Sequence, residues 1–205
     1  MTDFAKDTLS TQIYGDLLTQ IVEKKMTSGA HINARKLQKQ LGTSITPIRE
    51  ALSRLASDGL VEYEANVGYR VVRFSRRDIW EINDMLALMD CHAVELAMQC
   101  PRADELIEAL RQIVEDQQRA YDAGDEPLYR HCTEYFHDIF YEYADNKNLY
   151  EVSRRYNYRM KLMASVYESH DNRRISLREH ALIYHVLKDR DVEQAMRYMR
   201  QHILE

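Results

Sequence analysis

The chain has 205 residues, 45% hydrophobic and 30% charged, which fits a globular protein with a core and excludes a wholly disordered chain. Its net charge of -5 is uneven: residues 1–75 carry ten Lys/Arg against eight Asp/Glu, and residues 76–205 carry 18 against 25. Phosphate binding needs only a local basic face, so the acidic total does not exclude a nucleic-acid binder in the first part.

The opening Met1-Thr-Asp-Phe-Ala-Lys-Asp7 is polar, without the apolar stretch of a signal peptide. No run approaches the roughly 18 apolar residues of a membrane span. The three cysteines, Cys91, Cys100 and Cys132, form no CxxC pair and read as reduced thiols. A cytoplasmic protein with no membrane partner is expected.

Glycine spacing divides the chain. Gly29, Gly42, Gly59 and Gly68 punctuate the first 75 residues, and only Gly124 follows, with Pro101 and Pro127. Short elements therefore come first and long helices after. Ile13, Leu17 and Ile21 give a helical stripe over about 9–26. A short helix follows over 34–41, with Gly42 as its stop. Thr46-Pro47 suits an N-cap followed by proline at the first helical position, and that helix runs to about Asp58. Leu60–Tyr63 and Tyr69–Phe74 read as two strands around a turn. Three helices and a hairpin make a winged helix-turn-helix, ending near Phe74-Ser-Arg-Arg77.

Beyond that junction, Ile79, Ile82, Leu86, Met89, Ala93, Leu96 and Ala97 mark a long helix ending near Cys100-Pro101. Further helices are expected at about 103–123, 126–144, 147–168, 175–188 and 191–204, the last opened by Asp191 with Gln194 three residues on. The fold class is mainly α: a winged helix-turn-helix over 1–75, then an all-α antiparallel bundle of six or seven helices over 76–205.

The turn and capped helix around Thr46 present hydroxyls, free backbone N–H groups and Arg49 at a helix N-terminus, which favours phosphate. A helix fits the major groove with its N-terminal residues on the base edges. Arg49 suits guanine or phosphate, Thr46 phosphate or a base, and Arg35 the backbone or the same groove. Asn66, Gly68, Tyr69 and Arg70 occupy the wing tip, where phosphate or minor-groove contact is expected.

The segment Ser44-Ile-Thr-Pro-Ile-Arg-Glu-Ala-Leu-Ser-Arg-Leu-Ala-Ser-Asp-Gly-Leu-Val61 resembles the GntR family of bacterial regulators. Ile32-Asn-Ala-Arg-Lys-Leu-Gln-Lys-Gln-Leu-Gly42 and Val67-Gly-Tyr-Arg-Val71 extend the resemblance. It implies DNA contacts by Arg35, Thr46, Arg49 and Gly68 or its neighbours. Ile45 stands where the family has an arginine, which removes one potential guanine or phosphate contact.

In the second part, Phe136-His137, Asn146, Glu179-His180 and His202 follow an order that resembles the FadR-like branch, with its FCD-type ligand-binding domain. The resemblance implies an internal cavity and a divalent metal, Zn or Ni, held by His137, His180 and His202. It further implies a carboxylate effector held by that metal. The family's aspartate position falls at Thr133, one turn before His137, and a neutral hydroxyl is a poor ligand. Glu134 lies about 100° around the helix from it. A three-histidine site and an empty one both stay open.

Asn146 and Arg159 are candidate neighbours of the cavity with Thr133, although Asn146 also suits a cap and Arg159 a solvated surface. Glu179, beside His180, points to another face of its helix. His31, His92, His131, His170 and His185 match no ligand position. Eleven of fourteen tyrosines follow residue 120, which suits packing or a polar cavity lining.

The function that follows is a homodimeric, DNA-binding transcription regulator whose operator affinity responds to a small acidic metabolite. The alternative is a metal-dependent enzyme on the bundle with an accessory winged module. No H-E-x-x-H motif, Gly-rich phosphate loop or paired catalytic carboxylate supports it.

Overall fold

The computed structural model describes residues 8–23, 25–167 and 170–204, without the side chains of 164–171. The polar start at 1–7 and the side chain of His170 therefore lie outside the described residues. The chain forms two compact units, one of residues 1–79 with 157–167, the other of 80–156 with 168–205.

The first unit contains α1 (Leu9–Val22), β1 (His31–Ile32), α2 (Ala34–Leu41), α3 (Ile45–Ser57), β2 (Val61–Glu64) and β3 (Gly68–Val71). Ile13, Leu17 and Ile21 recur at helical spacing on one face of α1 and are buried, as are Ile48, Ala51, Leu52 and Leu55 of α3. These faces meet in one core with Ile32, Leu60, Val61, Val71 and Leu162. Each fully buried Leu or Ile contributes about 1.5–3 kcal/mol of burial, which fixes where the exposed N-terminus of α3 points.

Asn33 caps α2 through a bond from the Lys36 N–H, and Gly42 ends it at φ 62, where other residues are strained. The cap of α3 differs from the sequence expectation: Ser44 is the N-cap, Ile45 the first helical residue, and Thr46 lies within the first turn. Proline fits there because a first-turn N–H has no intrahelical partner to lose. α1 stops at Val22 rather than near Met26, closed by the Glu23 N–H on the carbonyls of Thr19 and Ile21.

The sheet order is β1-β3-β2, all antiparallel, with Tyr63 opposite Tyr69 and His31 opposite Arg70. A two-residue strand such as β1 has no periodicity to read in a sequence. The hairpin turns through Asn66 and Gly68, both at positive φ (66° and 106°).

Among the described residues, six long helices follow: α4 (Arg76–Gln99), α5 (Ala103–Ala123), α6 (Glu126–Tyr143), α7 (Lys147–Tyr167), α8 (His170–Lys188) and α9 (Val192–Leu204). Ser75 and Asp78 open α4 by a reciprocal capping box, and those bonds lower the Asp78 carboxyl pKa. Asp125 caps α6 with Pro127 in its first turn, and Asp191 caps α9 through the Gln194 N–H. α8 begins five residues before the expected start, within a stretch that carries no glycine or proline to mark a boundary.

In the second unit, Ala87, Ala93 and Ala97 are fully buried on α4. Phe136 and Phe140 meet edge-to-face, and both are fully buried, as are Leu106, Leu110, Ile183, Leu187 and Met199 of the same unit. Cys132 is buried, Cys91 and Cys100 half-buried, and all three are free thiols. This packing carries the polar residues of α4, α5, α6, α8 and α9 inward.

Candidate metal centre and nucleic-acid interface

His137 of α6, His180 of α8 and His202 of α9 meet inside the second unit. One ligand atom from each lies within 4.8 Å of the others. The Nε2 atoms of His180 and His202 are 3.1 Å apart, and those of His202 and His137 are 3.2 Å apart. His180 is fully buried and stacks on Phe136 at 4.0 Å between ring centroids.

Every Nδ1 atom faces away from that centre onto an oxygen. His137 Nδ1 donates to Asp90 Oδ2 (2.8 Å), His202 Nδ1 to Glu179 Oε2 (2.7 Å), and His180 Nδ1 to Gln117 Oε1 (2.9 Å). An ionised carboxylate only accepts, so the hydrogens of His137 and His202 sit on Nδ1 and their Nε2 lone pairs point inward. Tyr141 donates to the other oxygen of Asp90, and burial beside that carboxylate raises the tyrosine pKa. Burial lowers the His180 pKa well below the usual histidine range, with His202 and His137 acting in the same direction. Burial also lowers that of His202, against the opposing bond to Glu179.

The donor set fits a divalent metal. Nitrogens about 2.1 Å from a common ion stand about 3.0–3.4 Å apart in octahedral or tetrahedral geometry, which brackets the two separations above. Imidazoles held at Nδ1 by carboxylates and an amide are the usual support for metal-binding histidines. Without a cation, inward-pointing lone pairs at these distances repel.

Thr133 does not join the converging atoms. Its hydroxyl donates to the Tyr129 carbonyl (3.0 Å) and accepts from the Gln117 amide (2.8 Å). Asn146 accepts from the Leu149 N–H at the start of α7 and serves as its cap. Arg159 lies in the first unit, with its guanidinium 5.9 Å from the Phe74 ring, whereas the three histidines belong to the second. The reason is the length of α7: its second half is part of the first unit.

Asp90, Gln117 and Glu179 were not found by spacing. Asp90 and Gln117 are 47 and 63 residues from the histidines they hold. Glu179 does leave its helix on another face than His180, and from there it reaches His202. It also lines a pocket of about 230 Å³ with Ile175, Arg178, Leu182, Tyr198 and Gln201. A buried acid at position 90 of an otherwise apolar helix face was the one legible signal.

In the first unit Arg35, Thr46, Arg49 and Asn66 are all exposed. Arg35 and Arg49 enter no ion pair among the described residues, which leaves both guanidiniums available to phosphate or base edges. Tyr69 lies against Tyr63 across the wing at 5.1 Å between centroids. Arg70 donates to the Gly29 carbonyl (3.0 Å) and so braces the sheet. Of the remaining histidines, His31 bonds the Val67 carbonyl, His92 pairs with Glu95, and His131 stacks on Tyr135.

A winged helix-turn-helix joined to a helical bundle with a buried histidine cluster defines a DNA-binding transcription regulator with an effector domain. The chain belongs to the GntR family of bacterial regulatory proteins: that family's DNA-binding model matches residues 9–71, and the FCD domain model matches 81–205. The HTH-type transcriptional regulator McbR of Escherichia coli (strain K12) is 30% identical over 87% of this chain and 80% of its own length. The HTH-type regulator YdhC of Bacillus subtilis (strain 168) is 26% identical over 94% and 85%.

A GntR regulator from Rhodococcus sp. RHA1 has the same fold at a TM-score of 0.78, with 20% identity over 95% of this chain and 93% of its own. The relatives are regulators and give no support to the metal-enzyme alternative. No described helix is long and apolar enough to cross a membrane.

Proposed function

We propose that the chain is a one-component regulator in which residues 1–75 grip an operator and residues 76–205 sense a small carboxylate in the cytoplasm. His137, His180 and His202 hold a divalent metal, Zn or Ni, which would supply a Lewis-acid centre for the effector's oxygens. The observation that carries this reading is the convergence of three Nε2 atoms whose Nδ1 partners are all oxygens.

Arg49 and Thr46 at the start of α3 read the major groove, with Arg35 beside them. Asn66, Gly68 and Tyr69 bring the wing to the backbone, and Arg70 supports it from the sheet. Thr133 shapes the cavity from behind His180, and Asn146 fixes the start of α7. A single recognition helix reads too few bases for useful selectivity, so a homodimer on two half-sites is the working form.

An operator is first selected from random duplex DNA, and its affinity is then measured with and without metal and a library of carboxylic acids. The reading predicts that one class of acid changes operator affinity about 5–150-fold, a coupling of about 1–3 kcal/mol. The change disappears in the His180→Ala/His202→Ala protein. An undiminished response in that variant contradicts the reading.

A further inference from the structure

We infer that Thr133 is a positioning residue: through Gln117 it fixes which ring nitrogen of His180 carries the hydrogen, and so keeps Nε2 bare toward the metal centre. This inference rests on the metal reading above only for its purpose, since the tautomer can be observed without metal.

A polar chain runs from a backbone carbonyl to the ring. The Tyr129 carbonyl oxygen only accepts, so at 3.0 Å it takes the single hydroxyl hydrogen of Thr133. Toward Gln117 the hydroxyl can then only accept. The amide NH2 must therefore face Thr133 at 2.8 Å, which turns the amide oxygen to His180 Nδ1 at 2.9 Å. An oxygen there demands a hydrogen on Nδ1. A neutral imidazole has one such hydrogen, so Nε2 is left as a lone pair 3.1 Å from His202 Nε2.

Gln117 is fully buried, and a flipped amide would set its NH2 against Nδ1 and leave its oxygen facing a hydroxyl with no hydrogen to give. A mispaired buried polar group of that kind is costly enough to hold one orientation. The other two rings need no such relay, because Asp90 and Glu179 are carboxylates whose two oxygens are alike. A neutral amide has two different ends, and only for His180 must something choose between them.

The position where an aspartate would ligate from the first turn before His137 thus carries a residue that acts through two hydrogen bonds, by way of Gln117, on the His180 ring. Negative charge near the centre comes instead from Asp90 and Glu179, behind the rings.

The test is a long-range 1H–15N spectrum of full-length, metal-free protein with 15N-labelled histidine at pH 8, paired with a zinc competition titration. Wild type and Thr133→Ser are expected to show His180 with hydrogen on Nδ1 alone. Thr133→Val, which keeps shape but loses the hydroxyl, is expected to show both tautomers and about 10–100-fold weaker zinc binding. Hydrogen on Nε2 of His180 in wild type overturns the inference without any variant. So does a Thr133→Val protein with the wild-type tautomer and affinity. A wild type that shows the Nδ1 tautomer but takes up no zinc upholds the relay and defeats the metal reading.

Discussion

Single side chains carry the regulator's two chemistries. In the DNA-binding unit, Arg49 is exposed on the first turns of α3, where we propose that it meets a base or phosphate. Arg49→Ala is expected to weaken operator binding by about 1–3 kcal/mol in a fluorescence anisotropy titration. Wild-type affinity in the folded variant would remove it from the interface. In the bundle, burial lowers the His180 pKa in the folded protein while the unfolded chain keeps the ordinary value near 6.5. Below 6.5 the unfolded state therefore binds more protons, and stability of metal-free protein is lost as pH falls. Urea midpoints at pH 8, 6.5 and 5.5 should decrease in that order, and His180→Phe should flatten the trend. The three histidines were legible from sequence order, but the groups that aim them were not. Asp90, Gln117 and Glu179 reach their rings across helix contacts that no local pattern encodes.

Helices and strands were legible where periodicity or capping chemistry was strong. α5, α6 and α9 begin at Pro or Asp signals and α5 ends at Gly124, and the apolar faces of α1 and α3 were visible as i, i+4 stripes. β1 was too short to show, and the sequence points to Thr46 rather than Ser44 as the cap of α3 because Thr46 directly precedes Pro47. The same signals give element-level expectations. Removing the α6 cap by Asp125→Ala should cost about 0.5–2 kcal/mol in chemical denaturation, since the Leu128 N–H loses its acceptor. Leu52→Ala, at a fully buried position between α1 and α3, should cost about 2–5 kcal/mol. A loss below 1 kcal/mol would mean that this core is not assembled as described.

At the scale of the whole molecule, a one-chain regulator must link an operator grip to an effector site, and it can do so only if the effector binds two arrangements with different affinity. The match of one family model to residues 9–71 and another to 81–205 gives both parts, and three histidines converge inside the second. Native mass spectrometry of the purified full-length protein, after incubation with a slight excess of Zn2+ at pH 7.5, tests this most directly. The account predicts a species of twice 24.3 kDa that carries one divalent metal per chain and loses both metals in the His180→Ala/His202→Ala variant. A metal-free wild type, or a double variant with unchanged metal content, would contradict it.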